Sequence, residues 1–311
     1  MKHSKCIGLI IAICLLGFWG CQPTSSHDTY SYTLASQMLP DQNQFGAYWY
    51  QGKAELTSYE LEQARYGEVH SGHAVLIFVT EDFSASKQVK LDFPQQAGSD
   101  AVKILKCNFT KKFLTGIYPY SLMSSTFSPI DVTQNPHALK VATSAQEWCG
   151  HTYLQINGGK NTYEIQGNSY FESEGDEQFS LDKTWLEDEI WNYIRISPEA
   201  LPTGNFRMIP STFFTRLRHV PLKEEKAKAT LAAAAENDEL MEYQITYPGL
   251  NRTLSVQFQK AFPHIIEGWA ETSSGRGREL TTRATRKKTI QSAYWSQNGA
   301  NDRDMRAKLD L

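Results

Sequence analysis

The sharpest chemical candidate in this chain is Cys149-Gly150-His151. On a strand, the thiol and the imidazole share one face about 7 Å apart at Cα, where the imidazole could hold the thiol as the reactive thiolate. The plainer alternative is a solvated histidine beside a half-buried cysteine. Glu172, Glu174 and Asp176 line one side of a turn and offer oxygen ligands to a hard cation. Lacking EF-hand spacing, they read instead as a solvated acidic hairpin tip, and no metal or other cofactor is expected. Arg276, Arg278, Arg283, Arg286, Lys287 and Lys288 place six positive charges in thirteen residues, opposed only by Glu279. Such a run could meet lipopolysaccharide phosphates, anionic lipid headgroups or an acidic partner. A charged edge strand that blocks sheet-to-sheet aggregation would explain it as well. Gly-x-Ser-x-Gly, His-Glu-x-x-His, Walker A, Gly-x-Gly-x-x-Gly and Cys-x-x-Cys are all absent. No catalytic residue is assigned, and a non-enzymatic role is favoured, although sites built from distant strands leave no local signature.

The N-terminus carries a clearer message. Lys2 and Lys5 precede thirteen apolar residues, Ile7 to Trp19, and then Gly20-Cys21. That run is short of the roughly 20 residues that span a bilayer and reads as the core of a signal peptide. A cysteine directly after a small residue at its end resembles a bacterial lipobox, with Phe18 and Trp19 where leucine and a small residue are usual. Residues 1–20 are therefore expected to be a lipoprotein signal peptide and Cys21 the acylated N-terminus, with ordinary secretion as the alternative. Processing would leave 291 of the 311 residues and take the net charge from -3 to -5, because Lys2 and Lys5 are lost. Acyl chains on Cys21 would supply the membrane affinity. Gln22, by resemblance to sorted lipoproteins, favours the outer membrane, facing the periplasm. Residues 22–44, rich in Ser, Thr, Gln and Pro, read as a tether, residues 45–297 as one domain and residues 298–311 as a polar tail. The near-neutral balance gives no reason to expect a nucleic acid partner.

The domain itself reads as mainly β. Met241 to Tyr247 and Arg252 to Phe258 alternate apolar and polar residues with the period of half-buried antiparallel strands, and so does Lys87 to Phe93. Ala74 to Val79 is continuously apolar, as a strand covered on both faces would be. Turn residues at Tyr66-Gly67, Asn157-Gly158-Gly159, Glu174-Gly175-Asp176 and Pro248-Gly249 suit hairpins. Trp185, Leu186, Ile190, Trp191 and Ile194 have helical spacing, which predicts a helix over Thr184 to Arg195 with a Thr184/Glu187 capping box. Lys223 to Glu236 contains helix formers, but its alternation favours a long hairpin with the alanine run at the tip. Cys107 shares a face with Leu105 and Phe109, whereas Cys149 sides with His151, Tyr153 and Gln155, a pattern that disfavours a disulfide between them. Tyr48-Trp49-Tyr50 reads as a strand with rings on both faces, packed in the core or lining a lipid or glycan pocket. The expected architecture is an antiparallel curved sheet, half-barrel or sandwich with one or two short helices against it.

A curved sheet over a helix resembles the LolA-like lipoprotein carriers in fold and location. Four stretches resemble an uncharacterised family of Bacteroidota envelope lipoproteins: Trp49-Tyr50-Gln51-Gly52-Lys53-Ala54-Glu55, Val75-Leu76-Ile77-Phe78-Val79-Thr80-Glu81-Asp82-Phe83, Thr115-Gly116-Ile117-Tyr118-Pro119-Tyr120-Ser121 and Ala293-Tyr294-Trp295-Ser296. Some members carry the label septum formation inhibitor, but the Ser-x-Ser-Pro-Arg-Arg signature of Maf-type nucleotide pyrophosphatases is absent here, so the resemblance implies no nucleotide hydrolysis. Three readings follow: an envelope lipoprotein binding a hydrophobic or amphiphilic ligand in a β cavity, an assembly factor for another envelope protein, and a hydrolase or thiol enzyme with an unrecognised site.

Overall fold

Alternating side chains commit most of the chain to antiparallel strands. The computed structural model describes Tyr32–Thr33 and residues 41–311, except Arg276. The predicted signal peptide, Cys21 and residues 22–31 and 34–40 of the predicted tether lie outside the described residues. The strands are β1 (Tyr32–Thr33), β2 (Ala54–Arg65), β3 (Glu68–Ser84), β4 (Val89–Lys90), β5 (Ala101–Thr115), β6 (Tyr118–Pro129), β7 (Lys140–Glu147), β8 (Gly150–Gly158) and β9 (Thr162–Ser169). They continue with β10 (Glu177–Asp182), β11 (Trp185–Leu186), β12 (Thr203–Ile209), β13 (Glu225–Ala234), β14 (Asn237–Tyr247), β15 (Arg252–Gln259), β16 (Ile266–Gly275) and β17 (Arg278–Ser292).

Fourteen of these form one meander, β12-β13-β14-β15-β16-β17-β2-β3-β5-β6-β7-β8-β9-β10, in which every neighbour is antiparallel. The first long strand closes onto the last, Ala54 opposite Ser292. β1 and β11 lie along β12. The result is a curved, unclosed sheet of the mainly antiparallel class that the alternation predicts. In β14 and β15, Tyr243, Ile245, Tyr247, Leu254, Val256 and Phe258 all point into the core. The alanine run forms the predicted hairpin tip between β13 and β14.

Three α-helices belong to the described residues: α1 (Gln42–Trp49), α2 (Ile190–Ile196) and α3 (Thr212–Arg218). α1 falls across the segment read as tether and strand. Asp41 caps it, accepting from the amides of Asn43 (2.9 Å) and Gln44 (3.3 Å), and Phe45 and Trp49, four residues apart, bury the same face. The aromatic triplet at 48–50 therefore ends a helix instead of lining a strand. α2 is buried along its whole length. Asn192 holds it to β5 and β6, donating to Leu105 O (3.1 Å), Thr126 O (3.3 Å) and Ser128 Oγ (2.8 Å).

The predicted helix over 184–195 begins later than its sequence suggests. Trp185–Leu186 pairs in parallel with β12, Glu187–Glu189 is one 3₁₀ turn, and only then does α2 start. Thr184 caps nothing, because its hydroxyl donates to Arg207 O. The predicted strand over 87–93 shrinks to Val89–Lys90, with Val89 and Phe93 exposed, since Pro94 starts a 3₁₀ turn and ends the ladder. The polar tail is also structured: Ala300–Leu309 is a 3₁₀ segment that buries Leu309 with Ala54, Leu56 and Val79. This contact covers the second face of the continuously apolar β3 run.

Candidate functional site

Three consecutive acids in the 3₁₀ turn, Glu187, Asp188 and Glu189, are all buried and each fixes a different part of the fold. Arg252 on β15 grips Glu187 through both terminal nitrogens (2.5 and 2.6 Å), and Tyr247 Oη donates to the same carboxylate (2.7 Å). Asp188 accepts from the amide (3.0 Å) and hydroxyl (2.7 Å) of Thr212 at the start of α3. Glu189 accepts from the amides of Ala138 (2.5 Å) and Leu186 (3.0 Å) and lies 3.1 Å from His137 Nδ1. A second buried pair, Arg195 on α2 with Glu55 on β2, is bidentate, and Tyr48 Oη donates to Glu55. Buried charges persist only when paired and hydrogen-bonded. These groups touch one another, so they position elements and leave no carboxylate open to a substrate.

Asp188 gives that arrangement a measurable pH dependence. Burial pushes its carboxyl up to about 6 against the two Thr212 bonds. The folded protein then binds this proton more tightly than the unfolded chain, whose value stays near 3.8. The group's contribution to stability therefore falls as pH rises between these values and is restored by acid. The difference in unfolding free energy between wild type and Asp188→Asn is expected to shift by about 2.4 kcal/mol between roughly pH 4 and 7.5, with wild type relatively weaker at the higher pH. Urea denaturation at each pH measures it, and a pH-independent difference would refute it.

α3, seated by Asp188, leaves a crevice on each side. Toward β7, β8 and β9 lies a cavity of about 210 Å³. Leu154, Val220, Pro221 and Leu222 form apolar wall, and Thr152, Arg216, His219 and Glu174 a polar rim. Arg216 Nε donates to Thr152 Oγ1 (3.0 Å), and His219 Nδ1 lies 2.6 Å from Glu174. Although partial burial works the other way, Ser169, His219 and Arg216 hold the Glu174 carboxyl below its ordinary value. Of the predicted acidic tip, Glu174 is thus tied to α3, while Glu172 and Asp176 are exposed, as a solvated tip would have them. Among the described residues no group of three His, Cys, Asp or Glu could hold a metal ion.

On the other side of α3, a chamber of about 50 Å³ is bounded by Gln63, Lys111, Glu271, Ser273 and Thr282, among others. It adjoins a vestibule of about 330 Å³ beside Arg65, Tyr66 and Arg218. Burial pushes the Lys111 ammonium below its ordinary value, partly opposed by Glu271. Trp269 packs on Tyr59, Phe109 and Trp191 with ring centres 4.8, 5.1 and 5.3 Å away.

The residues singled out from sequence lie away from both crevices or serve other ends. Cys149 sits exposed in the β7–β8 turn, where Glu147 raises its thiol above the ordinary value, and His151 is exposed on β8. An activated thiol needs a positive neighbour; here the neighbour is a carboxylate. Cys107 is a buried free thiol pushed up by burial, so Cys107 and Cys149 form no disulfide. Arg276 lies outside the described residues. Arg278, Arg283, Lys287 and Lys288 are exposed, while Arg286 Nε pairs with Glu267 (2.7 Å). The alternative of a charged edge strand is overturned, because β17 is paired on both sides, by β16 and β2. Arg283 and Arg286 instead line an outer groove of about 850 Å³ together with Glu239, Glu242 and Glu267, a surface of mixed charge. The sequence signal that could have found the crevices is the apolar-to-basic run Phe213 to His219, which reads as an amphipathic turn too short to stand alone.

No family model, curated protein or solved structure matches this chain.

Proposed function

We propose that this protein is a lipid-anchored envelope protein, acylated at Cys21, that holds the apolar end of an amphiphilic ligand in the crevice between α3 and β7–β9. The observation that carries the ligand half is the crevice itself, apolar at Leu154, Val220, Pro221 and Leu222 and ringed by Arg216 and His219. At about 210 Å³ it is smaller than the roughly 300–1,000 Å³ of pockets that enclose a whole ligand, which suits one end of a longer molecule. The anchor half is supported by the basic, apolar and Gly20-Cys21 pattern, and by the likeness to Bacteroidota envelope lipoproteins. No helix among the described residues is long and apolar enough to cross a membrane.

A clickable, photoreactive palmitate tests both halves. Fed to producing cells without light, it should label wild type and fail to label Cys21→Ser; equal labelling would remove the anchor. Irradiated with the purified Cys21→Ser protein, it should form adducts on peptides carrying Leu154 and residues 220–222. Adducts confined to other surfaces, or none, would remove the crevice as a ligand site.

A further inference from the structure

The chamber on the other side of α3 contains an ammonium that makes neither a hydrogen bond nor an ion pair among the described residues, although Glu271 lies near enough to favour its charge. Lys111, on β5, is only 4% exposed, and its Nζ lies 5.2, 5.4 and 5.9 Å from the ring centres of Phe109, Phe213 and Trp269. An ammonium has three donors, and leaving them unmade in a low-dielectric interior is costly. Ring faces offset part of that cost but accept no proton.

Other donors converge on the same walls. Thr282 Oγ1 accepts from Gln63 Nε2 (3.0 Å) and Ala64 N (3.1 Å), and Ser273 Oγ accepts from Arg218 Nη2. Each hydroxyl therefore keeps its own proton to donate. Thr282 and Ser273 are 3% and 5% exposed, so these donors are built into the interior. Arg65 donates to Leu217 O and to the hydroxyls of Tyr66 (3.3 Å) and Tyr120 (3.2 Å). Neither Arg65 nor Arg218 makes an ion pair among the described residues. Glu271, the carboxylate of the chamber, is committed to Arg252 Nε at 2.9 Å. Gln63 Oε1 is buried without a partner, an acceptor for a protonated oxygen.

We propose that this chamber binds a phosphate group, with Lys111, Arg218, Ser273 and Thr282 donating to its oxygens and Gln63 accepting from a protonated one. The chamber's 50 Å³ exceeds the roughly 10–15 Å³ that one water needs and holds a single small oxyanion. Access runs through the vestibule, which shares Arg65, Tyr66, Leu217, Arg218 and Ser273 with the chamber. Tyr66 is placed at this mouth by a left-handed backbone conformation, φ 57°, in the tight β2–β3 turn. The site is independent of the apolar crevice and stands or falls separately.

The test is a titration of the full-length protein in detergent, followed by tryptophan fluorescence, since Trp269 lies beside Lys111. Inorganic phosphate, against chloride at equal ionic strength, is expected to give a saturable change. Lys111→Met keeps the stem and removes the charge, and should raise the half-saturating concentration by about tenfold or more. Ser273→Ala should raise it less. A parallel titration with short-chain phosphatidate separates the sources: saturation by phosphatidate alone assigns the group to a lipid headgroup, and saturation by both to phosphate in either form. The proposal is overturned if neither ligand saturates, or if Lys111→Met titrates like wild type. Should Lys111→Met fail to fold by circular dichroism, an unchanged affinity in Ser273→Ala overturns it in the same way.

Discussion

Arg252→Met is expected to destabilise the protein by about 3–5 kcal/mol, as breaking one side of a buried ion pair does. Arg252 is 2% exposed, holds Glu187 with two bonds and Glu271 with a third, and stacks 4.3 Å over the Phe214 ring. Methionine fills much of the stem volume, so the loss comes mainly from the Glu187 carboxylate left without its guanidinium and from Glu271 losing the nearest of its positive neighbours. Adding Glu187→Met removes the first of these carboxylates and is expected to recover at least half of the loss, even though Tyr247 then loses its acceptor. Urea denaturation of the single and double variants gives the coupling. A single-variant loss below about 1 kcal/mol would show that the pair is solvated and weak, as surface pairs are. Glu55 with Arg195 follows the same logic at the opposite end of α2, where the guanidinium lies 5.1 Å from the Trp49 ring and 4.9 Å from Phe78. Together the two pairs tie α2 and the turn before it to β15 and β2.

Trp269→Ala is expected to cost a further class of energy, about 3–5 kcal/mol of packing. Its ring contacts Tyr59, Phe109 and Trp191, and 5% of it is exposed. The cavity left behind would be apolar on most sides, and apolar cavities of that kind stay dry and take small aromatic molecules. Indole added to the variant should therefore raise its melting temperature while leaving wild type unchanged. If indole has no effect on the variant, the neighbouring rings have collapsed into the space. The expectation follows from how the interior is filled: α2, α3 and a cluster of aromatic rings pack together against the sheet.

Much of this was legible in the sequence. The strands over Met241–Tyr247 and Arg252–Phe258 declare themselves because one face of each is buried and side chains alternate strictly, so the period of the residues is the period of the structure. The hairpin at 225–247 was legible for the same reason, against the helix propensity of its alanines. Lys87 to Phe93 shows the same alternation and fails, because Pro94 ends the pairing and no second layer covers Val89 or Phe93. Tyr48-Trp49-Tyr50 fails in the other direction: a capping aspartate at 41 and the spacing of Phe45 and Trp49 outweigh the β preference of three aromatics.

By itself the sequence determined the class of fold and the pattern at Cys21 from which anchoring is proposed, since both rest on local order along the chain. Only the tertiary structure decided where the charges go. Glu187, Asp188 and Glu189 are adjacent in sequence, yet successive residues of a 3₁₀ turn point about 120° apart, toward Arg252, Thr212 and Ala138 respectively. Arg252 is 65 residues from Glu187, and Arg195 is 140 from Glu55. Lys111 likewise shares the buried face of β5 with Phe109 and Phe113, but what surrounds its ammonium comes from β2, β16, β17 and α3. Long-range partners leave no period in a chain, because the sheet, and not the spacing of residues, brings them within reach.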